Sequence, residues 1–590
     1  MYVLIKNINL YIIIVLKDRN DALKKIEQET IKISELKINV MKELYKKREK
    51  KDKKEVEKKY LLITNLEGFG IYKIFIGKFL LGLWNYPEAI YTILKRAELQ
   101  EIQANLGTLI IEHFFINYLS GNYIENNLLY ILTLMIRDEI EQLKVPEQVD
   151  TFLDNTRCGY LLEELQKKAD IQLFFNKVIL EIIEDIEIKC SSKEFKLNAA
   201  KIEKEFIKLK KDVEGDKKKK SQLKLKDVYQ KICDKKLGNN NQREATEKST
   251  AFSKYAANME FNDLEKMAES AKNENNNDLS EYFLKFASEM KSNNKDLYSN
   301  KKCMDSFSPT ESPEICLLFY QDDFLQIKEF LEKIINALQK HILLLPYSVK
   351  CLCKIISVLI RNKFKNISKA EENGFISKFF FGRLFIPIMR SPGLKALISE
   401  FVISGNTINN LEIINIVLNK LFSGKLFKNI GDDIDYTPFN WFFLDNMKTV
   451  LSFYENCNNV NLPDFIEKFI NNNLPKEYKY DFFVENKEEI YANISICFNL
   501  LGLIQLIEGA KKCPDIFNDD YDKAKKLQKA YEKLTEEDAI KDIKTKAREI
   551  KINILKKEKE KEEEEKNKGK EKSKDNKGSK NIETVLFFYI

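Results

Sequence analysis

Residues 344–392, LLPYSVKCLCKIISVLIRNKFKNISKAEENGFISKFFFGRLFIPIMRSP, set the fold class. Val349, Leu352, Ile355, Ile356, Leu359 and Ile360 recur at steps of three and four, the spacing of a helix buried along a broad face. Phe375, Ile376, Phe379 and Phe380 extend a second such face, which Pro387 and Pro392 are expected to end. Arg383 stands inside this apolar run. A guanidinium there is costly unless carbonyls or carboxylates hold its fork, which makes it a structural clamp or part of a site. The competing reading is a helix arginine whose stem packs while its head reaches solvent.

The rest of the chain has the same character. Its 590 residues suffice for two to four domains, or for one large helical domain with insertions. Only 11 Pro and 19 Gly interrupt long Lys/Glu/Leu/Ile runs, so the chain is expected to be all-α. The 98 basic and 91 acidic residues are intermixed, and the net charge of +7 calls for no nucleic acid partner. Ten scattered cysteines, with Cys351, Cys353 and Cys497 inside apolar stretches, fit reduced core thiols. Two histidines are too few for a zinc site, and the sequence has no phosphate loop or nucleophile elbow. No metal, no cofactor and no small-molecule chemistry are expected.

Composition divides the chain into blocks. Residues 1–59 read as a charged extension whose apolar run at 10–16 falls short of the roughly 20 residues that a membrane helix needs. Helices resume over 60–213, where Leu128, Leu129, Leu132 and Ile136 share a face. Lys and Asn tracts mark 214–313 as a low-complexity insertion, expected to be mostly mobile with a short helix pair within 251–290. Such an insertion costs little on a surface loop. Apolar helices return over 314–430, and 431–515 is a helical extension anchored by Trp441, Phe442, Phe443, Phe453 and Tyr491. A long polar, coiled-coil-like helix at 521–564 and a solvated tail complete the final block, 516–590.

Residues 379–392, FFFGRLFIPIMRSP, resemble without a gap the signature of Ras GTPase-activating domains, usually Phe-Leu-Arg-Phe, then Asn-Pro-Ala and Ser-Pro. Phe381, Arg383, Pro387, Ser391 and Pro392 agree, whereas Gly382 stands for the usual Leu and Ile386 for the usual Asn. Leu345-Pro346-Tyr347 and Lys363-Phe364 resemble the IQGAP-type branch in particular. Residues 151–165, TFLDNTRCGYLLEEL, resemble the family's finger-loop segment: Phe152, Asn155, Thr156, Leu161, Leu162 and Glu163 agree. The position of the catalytic arginine is Leu153. Arg157, four residues on, is a candidate displaced finger; the bland reading is a solvent-facing residue in a first helical turn. In residues 409–427, Leu411, Leu418, Leu421 and Phe427 fit the late helix of the family, and Ile416 takes the place of its lysine.

The resemblance implies that 60–213 and 314–430 build one domain, in which Arg383 ties down the finger loop through backbone carbonyls. It implies a regulator, not itself an enzyme, that docks on the switch regions of a GTP-bound Ras-like small GTPase. Phe152, Asn155, Thr156, Phe381, Pro387 and Pro392 would shape the binding and structural motif. GTP hydrolysis passes through a loose transition state that an arginine finger stabilises, worth about 10³–10⁵ in rate. Leucine carries no charge to do this, so the finger is replaced and activation is in question. The expected setting is cytoplasmic, at the membrane or cytoskeleton, with membrane contact only indirect. The alternative is an α-helical scaffold or cytoskeletal adaptor, although no fixed repeat of a solenoid kind is present.

Overall fold

The apolar faces of residues 344–392 become packed helices in an all-α chain. The computed structural model describes residues 62–63, 72–84, 86–102, 106–114, 122–215, 242–292, 298–390, 403–471, 498–517, 522–535 and 539–543, with positions 545 and 549. These residues fall into two compact units. One lies within residues 97–479 and the other within 35–96 and 480–590. The smaller unit contributes α1 (Tyr72–Trp84) and α2 (Pro87–Arg96) before the chain enters the larger one.

In the larger unit a π-turn (Leu109–Phe114) precedes α3 (Asn122–Gln142), whose Leu128, Leu129, Leu132 and Ile136 are all buried. After a 3₁₀ turn (Pro146–Asp150) come α4 (Arg157–Glu164), α5 (Ala169–Cys190) and α6 (Ala199–Gly215). Next are α7 (Gln242–Ala256), α8 (Phe261–Asn273), α9 (Asn277–Ser292) and α10 (Lys301–Asp305). The second half holds α11 (Pro313–Lys340), α12 (Tyr347–Lys363) and α13 (Lys369–Phe379). It continues through a second π-turn (Phe380–Phe385) into α14 (Ile386–Arg390), then α15 (Gly405–Phe422), α16 (Phe439–Asn458) and α17 (Asp464–Ile470).

Helix α12 is the centre of this unit, packed on α3, α13 and α16. Its six periodic apolar residues are all buried, each worth about 1.5–3 kcal/mol. Lys363 at its end donates to the carbonyls of Ile140 and Glu141, capping the C-terminus of α3 where a cation also meets the helix dipole. An aromatic cluster fills the space beside it: Phe381 stacks on Phe422 with ring centroids 3.8 Å apart, and Phe380 meets Phe453 at 5.1 Å. At the turn after α5, Lys193 pairs with Asp322 at 2.8 Å and with the fully buried Asp323 at 2.7 Å. That pairing fastens the turn to α11.

The smaller unit returns with α18 (Leu500–Lys511) and α19 (Asp522–Leu534), which packs on α1. Arg96 and Asp515 form a two-pronged ion pair there. The only extended pairing among the described residues is a two-residue antiparallel bridge, Leu62 opposite Asn499 and Ile63 opposite Phe498. No helix among the described residues is long and apolar enough to cross a membrane.

The architecture departs from the block reading in four places. Residues 72–96 join α18 and α19, so the larger unit begins at 97 and not at 60. Residues 431–471 belong to its core, because α16 supplies Phe453 and Tyr454 to the aromatic cluster. Over 242–292 the insertion forms α7, α8 and α9, the last two matching the expected helix pair, and packs through the buried Phe252, Tyr255, Tyr282, Phe283 and Phe286. Phe252 meets Phe324 edge-on at 5.1 Å, and the Trp441 indole donates to the Ala257 carbonyl at 2.8 Å. Helix α19 ends at Leu534, short of the single helix expected over 521–564. The 10–16 run, the Lys and Asn tracts of 217–241, Tyr491, Cys497 and the tail beyond 549 lie outside the described residues.

Tyr282 anchors the α8–α9 hairpin against Gly424, which adopts φ +63° and where a Cβ would come within 2.8 Å of the ring. Tyr282→Ala is expected to lower the stability of the larger unit by about 3–5 kcal/mol, as for other buried aromatics. Urea unfolding checks this. An unchanged midpoint would mean that the hairpin unfolds independently of the core.

Candidate functional site

Between the 3₁₀ turn and α4 the backbone twists through two left-handed residues, Leu153 at φ 65° and Asn155 at φ 52°. Asparagine tolerates that region, but a leucine there costs about 1–2 kcal/mol. The cost is met by packing. The Leu153 side chain is fully buried, and its carbonyl lies so close to Gly159 that a Cβ there would fall 1.9 Å from the oxygen. Thr156 caps α4, its Oγ1 accepting the Gly159 N–H at 3.0 Å. Phe152 is buried edge-on to Phe375 at 5.2 Å, and the exposed Asn155 accepts from the Tyr160 hydroxyl at 3.1 Å. Leu153 is therefore turned into the core.

Arg157 opens α4, and its Nε donates to the Ala97 carbonyl at 2.6 Å. Beside it, burial pushes the Glu139 carboxyl above the usual carboxylate range, opposed by a hydrogen bond from Thr156. Arg157 is thus half-buried and held by its own unit.

Arg383 reaches the same loop from the other side. It lies in the π-turn of residues 380–385, where the Ile386 N–H bonds to the Phe381 carbonyl, five residues back. In α-register the ring of Pro387 would strike the carbonyl of Arg383; the wider turn just ahead of the proline relieves this. The helix consequently does not end at Pro387 but runs on to Arg390. The Nη2 of Arg383 bonds to Asp154 Oδ1, and Nη1 lies 3.6 Å from Glu163 Oε2. Its partner in the loop is the Asp154 carboxylate, with Glu163 on α4 beside it, in place of the backbone carbonyls anticipated from the sequence. Lys378, at the end of α13, places Nζ 2.7 Å from Asp154 Oδ2. One carboxylate in the loop therefore takes both cations.

Phe152, Leu153, Asn155, Thr156, Arg157 and Arg383 come together here. Phe381 is a core residue stacked on Phe422, Ile386 is buried, Pro387 is half-buried, and Pro392 lies outside the described residues. Ile416 is 37% exposed on the outer side of α15. Cys158 is fully buried, and burial raises its thiol pKa, which leaves it inert. Asp154, Lys378 and Gly159 were not singled out from the sequence. Their signal was an acid next to Leu153 and two cations five residues apart.

Gly159→Ala is expected to cost about 3 kcal/mol or more, since the clash is with backbone, and to loosen residues 151–156 in amide exchange. Unchanged exchange would place the Leu153 carbonyl elsewhere. Arg383→Ala is expected to cost only about 1–2 kcal/mol by denaturant unfolding, because Asp154 keeps Lys378 and water.

No curated protein matches the chain. Residues 131–423 match the family model of the GTPase-activator protein for Ras-like GTPase, a span that takes in the 151–156 loop, Arg383 with its π-turn, and α15.

Proposed function

We propose that the larger unit docks on the GTP-bound switch regions of a Ras-like GTPase and regulates it mainly by binding, without an arginine finger. One observation carries the reading: Leu153, which the resemblance puts at the finger position, is buried in a left-handed backbone, and the nearby Arg157 is tied to Ala97. Neither presents the charge that the phosphate oxygens need in the transition state. The loop and the exposed Ile416 side of α15 form the docking face, where an apolar residue replaces a lysine without removing the surface. Leu345-Pro346-Tyr347 and the capping role of Lys363 support the IQGAP-like branch. The proposed setting is the cytoplasm, at the membrane or cytoskeleton where such GTPases sit.

The test uses the full chain with a panel of Ras-like GTPases. Binding should favour the GTP-loaded form, and single-turnover hydrolysis should rise by far less than the roughly 10³–10⁵ of an arginine finger. Arg157→Ala should leave the rate unchanged. No binding to any GTPase would overturn the reading in favour of a scaffold, and a large stimulation lost in Arg157→Ala would restore Arg157 as the finger.

A further inference from the structure

Two departures from the family signature meet in space. Where the signature has leucine, Gly382 leaves room, and the nearest atom to a Cβ built there is Lys378 Cδ at 3.7 Å. The stem of Lys378 thus runs beside the place that a leucine side chain would fill. Its ammonium ends 2.7 Å from Asp154, the residue next to Leu153. The π-turn makes this possible, because residues five apart share a face there as residues four apart do in an α-helix. Lys378 and Arg383 are five apart.

Resting on the docking reading above, we infer that Lys378, on α13 beside the loop, is the cation presented to the γ-phosphate of the partner's bound GTP, in place of an arginine at 153. Three features suit it to the task. Its side chain is 25% exposed against 12% for Arg383, so it is the outer of the two cations. Its departure leaves Asp154 still paired with Arg383, so no carboxylate is stranded. A lysine ammonium on a flexible stem is also an ordinary phosphate binder, acting as a point charge. During hydrolysis the water oxygen bonds to Pγ, and the Pγ–O bond to the β-phosphate breaks with its electron pair leaving on that oxygen. The products are GDP and inorganic phosphate, with the surplus proton passing to solvent. Lys378 stays protonated throughout and screens the phosphoryl oxygens.

The experiment compares wild type, Lys378→Gln, Lys378→Arg and Gly382→Leu in the full chain, each checked by thermal unfolding. Two probes are used: Ras-like GTPases loaded with GTP, and the same GTPases loaded with GDP and aluminium fluoride. Lys378→Gln should lower the single-turnover rate and the affinity for the aluminium fluoride form about 10-fold or more, one preorganised donor being worth up to about 10²–10³. Affinity for the GTP form should change less. Lys378→Arg should retain activity, and Gly382→Leu should behave like Lys378→Gln by displacing the stem. Equal rates and equal aluminium fluoride affinities in wild type and Lys378→Gln, with GTP-form binding intact, would overturn the inference alone. Absence of any binding by wild type would overturn the docking reading as well.

Discussion

The pairing of Asp154 with Arg383 and Lys378 is the constraint on which the rest of the site depends, because it joins a strained loop to a rigid helix. Its origin lies in Pro387, four residues beyond Arg383. The proline forbids an α-register at that point, the backbone widens into a π-turn, and the wider turn sets Lys378 and Arg383 on one side. Asp154 then meets both. With Asp154 held outward at the surface, its neighbour Leu153 is turned inward against Gly159.

The energetics of Leu153 show why its residue type and its backbone go together. The left-handed conformation costs about 1–2 kcal/mol, while burying the leucine returns about 1.5–3 kcal/mol, and each partly exposed ion pair on Asp154 adds up to about 1 kcal/mol. The inward loop is therefore favoured by a small margin. An arginine at the same position could not enter that apolar space without several kcal/mol of desolvation, and would stand outward. A leucine at 153 thus fixes the conformation of the loop as well as leaving that position without a charge.

Much of this was legible in the sequence. The buried faces of α3 and α12 follow from spacing alone, since apolar residues at steps of three and four can be satisfied only by a helix against a core. Leu153 and Arg383, which the structure brings to one loop, were singled out by motif. The π-turn was not, because one extra backbone residue leaves the local pattern almost unchanged. Asp154 and Lys378 were hidden for a different reason: they are 224 residues apart, and nothing in a charge pattern says which distant ions will meet. The helix pair expected within 251–290 corresponds to α8 and α9, but its packing was not legible, because the average composition is that of a solvated segment whereas the contacts come from a few aromatics such as Phe252 and Tyr282.

Those same aromatics bear on how the site can move. Helix α13 is fixed at its start by the Ser368–Glu371 capping box and by buried Glu372, which accepts from Ser357 and from Lys369 at 3.0 Å. Tyr282 of the insertion reaches the carbonyl of Ala370 at 3.4 Å and stiffens the same end. At its other end the π-turn is buried among phenylalanines. The cations therefore sit on a stiff element, whereas residues 151–156 are held by strained dihedrals and by partly exposed ion pairs. The compliant side of the clamp is the loop. Lys378 need only turn its own stem, and the position of Arg383 is kept by the helix that carries it.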